Sequence, residues 1–138
     1  MSDEAADYHG PGTVRYAPQP DGEPDPGEIV WTWVPFEDDP TQGKDRPVLL
    51  IGNDGPWLLG LMMTSKDHVQ GSAVDQRTHR DYVDVGIGGW DKQQRASEVR
   101  VDRILRIAAE KIRREGAVLG AEPFNQVADA LRLRHGWR

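Results

Sequence analysis

The chain has no cysteine, which excludes disulfides, thiolate zinc sites and cysteine nucleophiles together. No apolar run approaches the ~18 residues of a membrane-spanning helix. The first residues, MSDEAADYHG, are acidic where a secretory signal is basic and then apolar. A soluble cytoplasmic protein with no membrane partner is therefore expected. The four histidines, His9, His68, His79 and His135, are scattered, none at HxH, HxxH or HExxH spacing. No metal or other cofactor is expected. The glycines of GIGG, residues 86–89, lack the Lys-Ser/Thr and helix of a phosphate loop and read as a turn. There is no GxSxG nucleophile elbow either.

What is present is 138 residues, enough for one compact domain, with an uneven formal charge of −6. Residues 1–27 carry six acids against Arg15, and residues 28–94 carry eleven acids against six bases, −5 in each case. Residues 95–138 carry ten bases against six acids, +4. An acidic average opposes indiscriminate nucleic-acid binding, which needs clustered Lys and Arg, but leaves room for a local basic groove. Arg95, Arg100, Arg103, Arg106, Arg113 and Arg114 read as a solvated face paired with Glu98, Asp102, Glu110 and Glu115. Arg100 is the exception best suited to a nucleic-acid path.

Residues 1–26 hold five of the ten prolines and are expected to form a flexible acidic segment ahead of a single domain, 27–138. The piece Thr13 to Tyr16 is the part able to lie against that domain, and the acidic charge makes the segment a candidate phosphate surrogate. GEIVWTWVPF, residues 27–36, reads as a strand, followed by an acidic polar loop over 37–45. Val48 to Ile51 and WLLGLMMTS, residues 57–65, read as two strands joined at the Asn53-Asp54-Gly55-Pro56 turn. Residues 66–80 are polar without periodicity. Further strands are expected at 82–85, along SEVRVDRIL (97–105) and at 117–119, with helical turns over 108–114. Phe124, Val127, Ala128, Leu131 and Leu133 mark a helix that starts near Pro123 and ends at Gly136. Hairpins without alternating helices predict a mainly β fold, a small bent barrel with one C-terminal helix.

Pairing of 47–51 with 57–64 would bring Arg46 beside Thr64 and Ser65. A planar guanidinium next to hydroxyls suits a phosphate. The alternative from spacing alone is an Arg in an ion pair with Asp45 or Asp84 and a Thr that caps its strand. Trp57 and Trp90 are able to stack bases or to pack in the core.

The stretch GEIVWTWVPFEDDPTQGKDRPVLLIG resembles the opening of the MazF/PemK family, the toxins of type II toxin–antitoxin systems. LMMTS and SEVRVDRI continue the likeness through to about Leu133. The resemblance implies an SH3-like barrel, a homodimer, a cognate antitoxin protein as partner, and metal-independent, sequence-selective cleavage of single-stranded RNA such as mRNA. Carried over by position, the catalytic Arg falls on Arg46 and the catalytic Thr on Thr64. Ser65, Lys44, Arg100 and Trp57 are the candidate substrate contacts. His68, backed by Asp67, is our own candidate for proton transfer, because only its unperturbed pKa lies near neutrality. Asp45 stands where the family has glycine before the Arg-Pro pair, and the loop ahead of it is more acidic than an RNA-contacting loop needs. A non-catalytic SH3-like barrel that binds protein or RNA is the alternative.

Overall fold

The computed structural model describes residues 6–19, 24–36, 38–65 and 82–138. Among these, strands β1 (Ala6–Asp7), β2 (Glu28–Pro35), β3 (Gly43–Asp54), β4 (Trp57–Ser65), β5 (Tyr82–Gly86), β6 (Ser97–Arg100), β7 (Leu105–Ile107) and β8 (Arg114–Val118) precede helix α1 (Ala121–His135). The strands run in the order β1-β7-β4-β3-β2-β8, with β5 and β6 attached beside the end of β4. All pairings are antiparallel. This is the mainly β, bent-barrel sheet with one C-terminal helix that the hairpin pattern predicts.

Strand β4 creates the curl. Its first half pairs with β7 (Leu58↔Ile107, Gly60↔Leu105) and its last three residues pair with β6 (Met63↔Val99, Ser65↔Ser97). One edge thus passes from one neighbour to another, and a single straight partner cannot follow it. The expected strand over 97–105 is accordingly two strands. At the corner between them, Arg100 closes a two-pronged pair on Asp102, Nε to Oδ1 at 2.6 Å and Nη2 to Oδ2 at 3.0 Å. Gly60 sits where β3, β4 and β7 crowd, and a Cβ there would stand 2.5 Å from Val48 Cγ1. The β3–β4 turn is Gly55-Pro56, and Gly55 supplies the positive φ of 59° that this tight hairpin needs.

Alternation along the strands buries the sheet on both faces. Val30, Val48, Leu50, Leu58, Leu105 and Ile107 pack on one side. Ile29, Leu49, Ile51, Leu61, Met63 and Val99 pack on the other, against the helix residues Phe124, Val127, Ala128 and Leu131. Leu133 is 89% exposed and lies off that helical stripe, contrary to the periodicity read for it. The helical turns expected at 108–114 shrink to a single 3-10 turn, Ala109–Lys111, because β8 begins at Arg114.

The segment ahead of Gly27 lies against the barrel at Thr13 to Tyr16, the piece expected to be able to, and also around Tyr8, where a flexible chain was expected. Over its described residues it is bonded to the barrel: Tyr8 N–H donates to Ile104 O (2.8 Å), Val14 N–H to Arg138 O (2.7 Å) and Arg15 N–H to Ile51 O (2.9 Å). Val14 is buried, and the Tyr16 hydroxyl donates to Leu119 O at 2.7 Å. The proline content prevents a helix but leaves an extended arm free to lend its amides and aromatic rings. Arg103 is the arm's counterpart. Expected on a solvated face, it is buried and donates from Nε to Asp7 Oδ1 and from Nη2 to Pro35 O, both at 2.9 Å.

Candidate active site

The turn pairs Asp54 with Trp57. Carried on without interruption, that register would set Arg46 opposite Ser65. A bulge between Leu50 and Gly52 shifts it by one, to Val48↔Met62. Two residues further along this register Arg46 falls opposite Thr64, and opposed residues share a face. Thr64 is half-buried while Ser65, pointing to the other face, is buried. The Thr64 hydroxyl donates only a long 3.5 Å bond to Ser65 O, at the weak limit for such a contact. On its other edge Arg46 pairs with Thr32 of β2.

These residues open onto a cleft of about 170 Å³. Its lining includes Lys44, Arg46, Thr64, Ser65 and Arg95, with Trp31 and Trp90 among its walls. Trp90 is buried, and its indole N–H donates to Ser97 Oγ at 3.1 Å. The Trp31 indole donates to Trp90 O at 3.1 Å. Two carboxylates also face the cleft, and each has a cation. Asp91 accepts Arg95 Nε at 2.8 Å, and Asp45 lies 3.3 Å from Arg113 Nη1. The Asp45 pair is solvent-exposed and contributes little. Burial works to raise the Asp91 pKa, but the Arg95 bond and charge outweigh it and hold the carboxyl below the ordinary aspartate value. The Lys44 pKa is lowered, first by the Arg46 charge, then by burial and by Arg95. Three cations thus crowd one small space, an arrangement that favours an anion.

The structure therefore gathers Arg46, Thr64, Ser65 and Lys44, as the sequence led us to expect. It does not bring Trp57 or Arg100 to them. Trp57 begins β4, at the far end from Thr64, with Arg106 Cζ 4.6 Å from its ring centroid. Arg100 is bound to Asp102 and is absent from the cleft lining. His68 and Asp67 lie outside the described residues. No described residue of the N-terminal arm lines the cleft, so nothing there supports a phosphate surrogate over it. Sequence reasoning overlooked Asp91 and assigned Arg95 to a solvated face. Their i, i+4 spacing was the available signal, but it sits in a loop where spacing alone does not predict a contact.

The family described as PemK-like, MazF-like toxin of type II toxin–antitoxin systems matches residues 25–134. The chain belongs to the PemK/MazF-like toxin family. No curated protein matches it in sequence. Among solved structures it is similar to an endoribonuclease in complex with its cognate antitoxin from a mycobacterial species, at 14% identity and TM-score 0.59 over 82% of this chain and 95% of that one. It is also similar to MazF in a MazE–MazF complex from Deinococcus radiodurans, at 17% identity and TM-score 0.58, covering 86% of this chain and all of the other. A second mycobacterial endoribonuclease aligns at 15% identity and TM-score 0.53, over 83% and 93% of the two chains. At such identities the likeness carries the fold alone. The family match begins at residue 25, so the arm that supplies Asp7, Tyr8, Val14 and Tyr16 to this PemK/MazF-like toxin lies outside the matched span.

Proposed function

We propose that this toxin is an endoribonuclease that cleaves single-stranded RNA, mRNA included, with Arg46 and Thr64 at its reaction centre. The observation that supports the reading is the bulge-set register, which ends at Val48↔Met62 and, extended by two residues, sets Arg46 opposite Thr64, both in the lining of a cation-rich cleft. The substrate's own 2′-hydroxyl oxygen attacks phosphorus, the P–O5′ bond breaks, and the products are a 2′,3′-cyclic phosphate and a 5′-hydroxyl. The protein then has to align the attack, stabilise the extra charge on the phosphorane-like state, and move two protons. Arg46 is suited to the charge, since its fork offers paired donors and never deprotonates near neutral pH. Thr64 is suited to one fixed hydrogen bond to a non-bridging oxygen. Lys44, its pKa lowered first by the Arg46 charge, gives up a proton more readily than an ordinary lysine. His68, the candidate for proton transfer read from the sequence, remains proposed for that task.

This route is metal-independent in our reading, because the cleft cations, Arg46 first, take the charge that a metal would otherwise stabilise. Cleavage selective for sequence would come from base contacts along the cleft walls. The same cations suit an acidic segment of a cognate antitoxin, which in this reading covers Arg46. A homodimer acting in the cytoplasm completes the proposal. The non-catalytic alternative draws on Asp45 and Asp91, whose carboxylates repel phosphate inside the cleft. One experiment separates the two. In EDTA, wild-type protein should convert a long single-stranded RNA into discrete fragments and Arg46→Ala should slow this by about a hundredfold or more, the range for loss of one charge-stabilising donor. Intact RNA with both proteins at high enzyme over hours would favour the binding barrel.

A further inference from the structure

Residues 88–97 form a loop tied to itself more densely than a connection between strands requires. Asp91 N–H donates to Gly88 O (3.2 Å), Gln94 N–H to Asp91 O (2.9 Å) and Gln93 N–H to Asp91 Oδ1 (2.9 Å). The Gln94 side-chain amide reaches Gly88 O and Asp91 O, both at 3.0 Å. Among the described residues Gln94 alone is a non-glycine at positive φ, 53°. A side chain held there is strained, and it persists only where surrounding bonds over-determine it. The next residue is Arg95.

Arg95 is fixed from both sides. Its carbonyl accepts the Ser97 hydroxyl at 3.3 Å, and its Nε donates to Asp91 Oδ2 at 2.8 Å. Asp91 is itself buried, while the Arg95 side chain is 32% exposed, so the bond is partly shielded from water. Because the bond uses Nε, the terminal Nη groups keep the remaining donors of the fork for a second acceptor. Ser97 pairs with Ser65 across one edge of β4, while Arg46 approaches from the other edge through β3. Strand β3, which carries Arg46, and strand β6, which begins two residues after Arg95, are separated by two inter-strand steps, ~10 Å, and both arginines line the one cleft. An extended chain of nucleotides that lays one phosphate between Arg46 and Thr64 therefore passes Arg95 next.

We infer that Arg95 is a second RNA-binding cation, which takes a phosphate neighbouring the scissile one, and that the tied loop over residues 88–97 is its mount, with Asp91 as the positioning residue. The inference rests on the reading of Arg46 and Thr64 as the reaction centre. It assigns Arg95 to binding and alignment of the strand, and leaves the bond-making step to the other two residues.

The test pairs two measurements on the full chain. Anisotropy of a labelled 2′-O-methyl RNA, which lacks the nucleophile and stays intact, gives Kd across a salt series. Initial rates on the unmodified RNA in EDTA give KM and kcat. Arg95→Gln should raise Kd and KM by about tenfold, the scale of one charge-assisted contact. It should reduce the steepness of log Kd against log salt by about 0.7, one single-strand phosphate contact, and leave kcat within about threefold of wild type. Arg95→Lys, which preserves the charge and the Asp91 pair, should keep the wild-type salt slope. Thermal melts confirm that both variants fold. A wild-type Kd and slope in Arg95→Gln would overturn the inference, as would equal losses in both variants with the slope unchanged. Cleavage by wild type with an indifferent Arg95→Gln sinks this inference and spares the nuclease reading. Salt-dependent binding that Arg95→Gln weakens, without cleavage by wild type, overturns the nuclease reading and leaves Arg95 as an RNA-binding cation with no scissile phosphate beside it.

Discussion

Replacing Asp7 with alanine tests whether the arm is part of the fold. Arg103 has 6% of its side chain exposed and Asp7 has 36%. Once the carboxylate is gone, the guanidinium keeps Pro35 O at 2.9 Å and a distant Met62 Sδ at 4.0 Å. Breaking a fully buried pair costs about 3–5 kcal/mol and an exposed one about 0–1 kcal/mol. Arg103 is buried but water reaches the Asp7 side, so the loss belongs between these limits, about 2 kcal/mol. Arg103→Met removes the charge that needs pairing and fills similar volume, so its own loss should be smaller, about 1 kcal/mol. The double variant should resemble Arg103→Met, leaving a coupling energy of roughly 1.5–2 kcal/mol. Urea unfolding of the four proteins, with m unchanged, reads these values from the shifts in midpoint. An Asp7→Ala midpoint indistinguishable from wild type, or losses that simply add, would refute a stabilising Asp7–Arg103 pair between arm and barrel.

Gly60→Ala should destabilise the fold by about 1–3 kcal/mol, because the new methyl meets a β-branched Val48 only 2.5 Å away and Leu49 O at 3.1 Å. Where alanine fits, the same change stabilises by about 0.4–1 kcal/mol, so the sign of the Tm shift decides, and Val48→Ala should recover part of the loss. Acid should unfold the protein through Asp91 and Asp102. Burial raises both pKa values, but Arg95 and Arg100 outweigh it and leave them below the ordinary value. The folded state then holds fewer protons on them than the unfolded chain, so their contribution is complete above an ordinary aspartate pKa of about 3.9 and fades as pH falls below it. Asp102→Asn should flatten that part of the stability curve, and an unaltered slope in urea midpoints from pH 5 to 2.5 would contradict the assignment.

The legible parts of this sequence were those where local chemistry and global geometry agree. The β3–β4 hairpin followed from Asp-Gly-Pro between two apolar runs, and the helix from four buried residues at helical spacing. Arg46 and Thr64 could be brought together because both lie on that one hairpin. The bulge at Ile51 left no composition signal, although without it Ser65 would face Arg46. Arg103 and Asp7 were illegible for a different reason. They are far apart in sequence, and each alone reads as a surface charge. SEVRVDRIL misled because its alternation is real on both sides of a corner that only the curl of β4 imposes.

The charge pattern acquires a meaning from this geometry. A chain at −6 overall repels polyanions at long range, so the proposed RNA affinity depends on local contacts such as those of the Lys44, Arg46 and Arg95 cluster. Even there Asp45 and Asp91 offset part of the field, while each stays engaged with a cation. Under the proposed function, such a cleft would bind weakly to phosphate in general and reward a strand whose phosphates coincide with the guanidinium groups. Selectivity by position of charge is a reason for an acidic protein to keep a basic site, and a reason for Arg95 to be held on a strained, heavily bonded loop.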